Sequence, residues 1–160
     1  MNSAIERLLN LRVRDVMARE VVTISANCTM AEAAETIRDY SVTGVPVTDE
    51  KGRCIGILSS TDFVRSLRCG SEPRPPVSHQ LSDSQPEGTL QIEEIVDDLV
   101  RNHMTPSVQT IAENCPLVQA ARCMCQEHIH RLVVLDGHSR PVGIVSSLDV
   151  ISAMVNAVEE

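Results

Sequence analysis

The sequence predicts an α/β fold of the α+β kind: two β-α-β-β-α repeats packed sheet to sheet into one module with pseudo-twofold symmetry. Three observations predict it. The chain repeats itself: shifting the 160-residue sequence by 87 positions aligns residues 13–69 with 100–156 without a gap, and 18 of the 57 aligned positions are identical. Unrelated segments of ordinary composition would share about three or four. Within each copy, apolar residues alternate between helical spacing and β-branched runs in the same order. A lone three-stranded sheet also leaves one apolar face open, so the two copies are expected to cover each other.

The elements follow in order. Residues 1–11 read as an N-terminal lead helix, 12–68 as the first repeat, 69–91 as a linker, and 92–160 as a second lead helix with the second repeat. Each repeat opens on a short lead, VRDVM or VRNHM, and an extended stretch, VVTI or VQTI. A helix opened by Asn27 or Asn114 comes next, then two β-branched runs. Asp49-Glu50-Lys51-Gly52 and Asp136-Gly137-His138-Ser139 separate those runs and are hairpin-turn material. A final helix starts near Thr61 or Leu148 and carries Val64 and Leu67, or Ile151 and Met154, on one face. The linker holds Pro73, Pro75, Pro76 and Pro86 with little to bury, the composition of a flexible excursion. Ile92, Ile95, Val96, Leu99 and Val100 then restart an amphipathic pattern.

Composition narrows the function. Hydrophobic residues make up 42% and charged residues 22%, as in globular proteins generally. With no Trp and only Tyr40 and Phe63 as aromatics, the core must be built from aliphatic side chains and Met. A net charge of −8, from 14 basic and 22 acidic residues, argues against a general nucleic-acid partner. It leaves room for a local basic pocket that takes a small anion. The cysteines are scattered through apolar segments and form no disulfide framework. Cys123 and Cys125 are too close for a zinc pair, and with His128 and His130 they would point in several directions, so no metal site is expected. The N-terminal stretch reads as an amphipathic helix, and no run approaches the ~18 apolar residues of a membrane span. A cytoplasmic protein without a membrane partner is expected.

Two segments carry candidate chemistry. Gly56-Ile57-Leu58-Ser59-Ser60-Thr61-Asp62 and Gly143-Ile144-Val145-Ser146-Ser147-Leu148-Asp149 each set a glycine, hydroxyls and a carboxylate at the start of the final helix. Glycine lets backbone approach a ligand. A carboxylate accepts both hydroxyls of a ribose diol, and helix N-terminal amides suit a phosphate. The same Ser and Asp residues would equally cap the helix, and a cap shared by both copies would also repeat. Thr61 supplies a hydroxyl where Leu148 supplies none. A further candidate is His130-Arg131, which stands where the first copy has Thr43-Gly44. The basic pair is therefore not required by the packing of the repeat. A guanidinium forks well onto phosphate; an ion pair with an acidic side chain is the alternative.

The pattern V-x-x-x-M, T-[IV], an Ala-rich helix, V-P-V or L-V-V, then G-[IV]-[LV]-S-S-x-D resembles the CBS domain. The pair resembles a CBS tandem, or Bateman module, over about residues 12–68 and 99–156. The second copy, HIHRLVVLD then GIVSSLD, is similar to repeats of the gamma subunit of AMP-activated protein kinase. This resemblance implies an adenine nucleotide (AMP, ADP or ATP) bound non-covalently in the clefts between the repeats. It implies that Ile57, Ser59, Thr61 and Asp62 serve one cleft, and Ile144, Ser146 and Asp149 the other. Thr110 would face the nucleoside held by Asp62, and Thr23 that held by Asp149, although a β-branched residue is favoured in a strand anyway. Backbone and apolar atoms near Val42–Val45 and Ile129–Leu132 would sandwich the base, and His130 with Arg131 would grip phosphates. The function expected is that of a regulatory ligand sensor, a homodimer passing its state to a separate protein. An interaction module without ligand and an S-adenosylmethionine sensor are the alternatives. No nucleophile–base pair, Walker loop or zinc signature points to an enzyme.

Overall fold

The duplication in the sequence is a duplication of strand order and register. The computed structural model describes residues 2–69 and 98–159. It contains α1 (Asn2–Asn10), α2 (Val13–Val16), β1 (Ile24–Ser25), α3 (Met30–Asp39), β2 (Gly44–Thr48), β3 (Cys54–Ser59) and α4 (Ser60–Cys69). There follow α5 (Val100–His103), β4 (Thr110–Ala112), α6 (Leu117–Glu127), β5 (Arg131–Leu135), β6 (Pro141–Ser146) and α7 (Ser147–Glu159). The expected linker beyond Cys69 and the helix restart at Ile92, Ile95 and Val96 lie outside the described residues.

Each repeat forms a three-stranded sheet, β1-β2-β3 or β4-β5-β6. The first pair of strands in each is parallel, with Ile24 opposite Val47 and Ile111 opposite Val134. The second pair is antiparallel, with Val45 opposite Leu58 and Leu132 opposite Val145. A register shift follows Val47 in one sheet and the equivalent Val134 in the other. Because side chains alternate along a strand, Val45, Val47 and Leu58 face α3 and pack with Met30 and Ala33. Leu132, Val134 and Val145 pack likewise with Leu117, Ala120 and Met124 of α6 and Ala153 of α7. The hairpin turns are fixed by Asp49 and Asp136, whose carboxylates accept from the amides of Lys51 and Arg53, and of His138 and Arg140. Those backbone bonds hold both carboxyls below the usual Asp range.

The lead segments cross over. Val13 and Met17 belong to the core of the second repeat, whereas Val100 and Met104 belong to that of the first. Matching backbone bonds fix the exchange: Val13 N–H donates to Cys115 C=O at 2.9 Å, and Val100 N–H to Cys28 C=O at 2.9 Å. The crossing chain also satisfies a free amide at each helix start, with Met30 N–H bonded to Asp98 C=O and Leu117 N–H to Leu11 C=O. The helix openings therefore differ from expectation. Thr29, not Asn27, caps α3 through a reciprocal pair with Glu32, and Pro116, not Asn114, precedes α6. Asn27 instead reaches Glu50, and Asn114 receives Arg14.

The final helix of the second repeat buries a face other than that of Ile151 and Met154. Val64 on α4 and Ile151 and Met154 on α7 are about half exposed, while Val150, Ala153 and Ala157 point inward. The outer faces of the two sheets meet around a cleft.

Candidate ligand cleft between the repeats

The cleft holds about 320 Å³. Thr43, Gly44, Pro46, Ile57 and Ser59 line it from the first repeat. Ile129, Arg131, Val133 and Ile144 line it from the second, together with Ser107, Val108 and Gln109 leading into β4. The structure thus brings Ile57, Ser59, Arg131 and Ile144 together across the repeat boundary. The Val45 side chain is not among them. It is 1% exposed in the first core, and strand alternation gives the cleft to its neighbours Gly44 and Pro46 instead.

The basic pair is divided between two hollows. Arg131 lines the cleft, whereas His130 lines a different hollow of about 480 Å³ against α6 and α7. His130 contributes its carbonyl to the start of α7, accepting from Ser147 N–H at 3.0 Å. Among the described residues no carboxylate forms an ion pair with Arg131. Its guanidinium makes a long bond of 3.5 Å to Thr43 Oγ1, the residue matching His130 in the other repeat. That leaves a cation with donors to spare beside an apolar wall.

Thr110 is exposed at the start of β4, opposite Val133 and next to Gln109 of the cleft wall. Its counterpart Thr23 lines an open hollow with Glu20, Val21, Val22, Tyr40 and Val42. Residues 20–22 match 107–109, which line the cleft wall on the other side of the duplication. Thr61 is exposed in the first turn of α4.

The two aspartates act as caps in this structure. Asp62 Oδ2 accepts from Ser59 N–H and Ser59 Oγ–H, both at 2.8 Å. Asp149 Oδ2 accepts from Ser146 N–H and Oγ–H, both at 2.7 Å. Ser146 Oγ in turn receives Asp149 N–H, completing a reciprocal box. Asp62 is 3% exposed and Asp149 is intermediate, so the first copy, with the fuller motif in sequence, presents the less accessible carboxylate. Gly56 and Gly143 also have a role the sequence did not reveal. A Cβ on Gly56 would stand 2.6 Å from Met104 Sδ, and one on Gly143 would stand 2.5 Å from Met17 Sδ. These glycines make room for the crossed methionines. Among the described residues, no three His, Cys, Asp or Glu side chains gather as a metal site, and no helix is long and apolar enough to cross a membrane.

A family model described as the CBS domain matches residues 13–69 and 96–156. The chain belongs to the CBS-domain family. This CBS pair is 28% identical over 153 residues to an uncharacterized protein of Methanocaldococcus jannaschii, covering 89% of this chain and 90% of that one. Other curated relatives are longer proteins, and the chain spans 39%, 22% and 24% of the length of three of them. Among solved structures, the CBS pair of MJ0100 in complex with 5′-methylthioadenosine and S-adenosyl-L-methionine superposes with a TM-score of 0.64. It is 24% identical and covers 92% of this chain and 98% of that one. CBSX2 in complex with AMP superposes with a TM-score of 0.68 at 22% identity, covering 94% of this chain and 100% of that one. These likenesses establish the shared fold.

Proposed function

We propose that this CBS pair is a regulatory module that binds an adenine nucleotide, AMP, ADP or ATP, between its repeats and passes its state to a separate protein. The observation that carries this reading is Arg131, which has no ion pair among the described residues and stands on the wall of an inter-repeat cleft whose other surfaces include Pro46, Ile57, Val133 and Ile144. An apolar slot suits a purine ring, and a guanidinium beside it suits a phosphate. Two structures of the same fold hold adenosine-bearing molecules, one with a phosphate and one with a sulfonium. The charge of Arg131 favours the phosphate over the sulfonium cation, which it would repel. Ligand action requires unequal affinity for two arrangements of the repeats. A homodimer formed through α7 would give that difference a route to a partner.

The test is titration calorimetry and thermal shift with AMP, ADP, ATP, adenosine and S-adenosylmethionine in parallel. A nucleotide at 100 times its Kd should stabilise the fold by about 2.7 kcal/mol. Arg131→Ala should weaken AMP by roughly tenfold or more while leaving adenosine nearly unchanged. Equal AMP affinity in Arg131→Ala and wild type would remove the phosphate assignment. A folded dimer that none of these ligands shifts would point to an interaction module instead.

A further inference from the structure

We infer that Thr105 determines which of the two clefts can engage a nucleoside through its aspartate: it occupies Asp62 and, by its absence at the matching position, leaves Asp149 open. This rests on the nucleotide-binding reading above. The two carboxylates are capped alike through Oδ2, so the oxygen that distinguishes them is Oδ1. Asp62 Oδ1 accepts from Thr105 Oγ1 at 3.3 Å and stands 3.8 Å from Arg65 Nη1. The residues matching Thr105 and Arg65 in the other half are Ala18 and Ser152. Ala18 has no side-chain donor, and among the described residues Asp149 Oδ1 receives neither a hydrogen bond nor an ion pair.

The asymmetry is one of side chains and not of backbone. Ile57 and Thr105 exchange two backbone hydrogen bonds of 2.9 Å each, and Ala18 and Ile144 exchange the equivalent two at 2.9 and 3.0 Å. Met104 lies against Gly56 as Met17 lies against Gly143, so both lead segments are seated identically. What one side has and the other lacks is a hydroxyl from the other repeat's lead directed at the carboxylate, with the exposed Arg65 guanidinium a more distant second difference. A vicinal diol brings two donors and needs a carboxylate that is both reachable and short of donors. Asp149 meets that need without giving anything up. Asp62 must first release Thr105, and that bond ties the lead of the second repeat to the last helix of the first. The Asp62 cleft therefore couples nucleoside binding to the breaking of a contact between repeats.

The experiment reads one cleft at a time by calorimetry with AMP and with adenosine. In an Asp149→Asn background, Thr105→Val keeps the side-chain volume and removes the hydroxyl. It should tighten binding at the Asp62 cleft by about tenfold, the scale of one hydrogen bond to a charged group. In an Asp62→Asn background, Ala18→Thr adds a hydroxyl at an exposed position and should weaken binding at the Asp149 cleft by about the same factor. Opposite responses in the two backgrounds support the inference. If AMP binds and neither substitution changes its Kd, the inference falls and the nucleotide reading stands. If neither AMP nor adenosine binds the wild-type protein or any variant, both fall.

Discussion

At the scale of the residue, the aspartates and a turn serine carry the detail. Asp62 and Asp149 read from sequence as either ribose acceptors or helix caps, and in the structure they make the capping bonds. Spacing alone could not separate the two roles, because both need a Ser and an Asp at the same offsets before a helix. A second local feature is backbone strain. Ser139 has φ of +62° at the hairpin position where the first repeat has Gly52 at +76°. An L-residue in this region costs about 1–2 kcal/mol, part of which glycine returns as greater unfolded-state freedom. Ser139→Gly should therefore stabilise the protein by up to about 1 kcal/mol in urea denaturation. No gain would mean that its side chain contributes something the hairpin geometry does not reveal.

At the scale of the element, the crossed leads explain the glycines. Gly56 and Gly143 stand in strands, where a missing side chain weakens packing unless something needs the space. That something is a methionine from the other repeat and the carbonyl behind it, Thr105 C=O at 3.0 Å from a Cβ on Gly56 and Ala18 C=O at 2.9 Å from one on Gly143. A methionine tip can yield but a hydrogen-bonded backbone carbonyl cannot, so Gly143→Ala should destabilise by about 1–3 kcal/mol. Gly137→Ala, which meets nothing within 4 Å, is the control and should be close to neutral. Equal denaturation midpoints for the two variants would contradict the crossed packing. The glycines themselves were plain in the sequence. Their partners were not, because the contact joins residues far apart in the chain and belongs to no periodic pattern.

At the scale of the whole molecule, the exposed face of α7 is the dominant feature. Leu148 and Val158 are 71% and 77% exposed, and Ile151 and Val155 continue the same stripe between them. Helical spacing sets Ile151 and Met154 on one face, and the fold turns that face outward. A contiguous apolar stripe of this length suits an association surface, and in the homodimer proposed above a second copy of the chain would cover it. Burying each Leu or Val side chain contributes roughly 1.5–3 kcal/mol, so two carboxylates on the stripe should abolish dimerisation. Leu148→Glu/Val155→Glu is expected to run as a monomer in light scattering after gel filtration, with unchanged circular dichroism. A variant that remains dimeric would place the interface elsewhere.

The sequence by itself determined the duplication, the order of the strands and main helices, and the segments proposed to build a cleft. Those are short-range or periodic properties, written in neighbouring residues and in the offset between the copies. The tertiary structure alone decided which lead serves which core. It also sent Arg131 to the cleft and His130 away from it, and it gave Asp62 a hydroxyl that Asp149 lacks. Each of these depends on where a side chain stands relative to a distant part of the chain. Two repeats with matching backbones can therefore still present unlike sites.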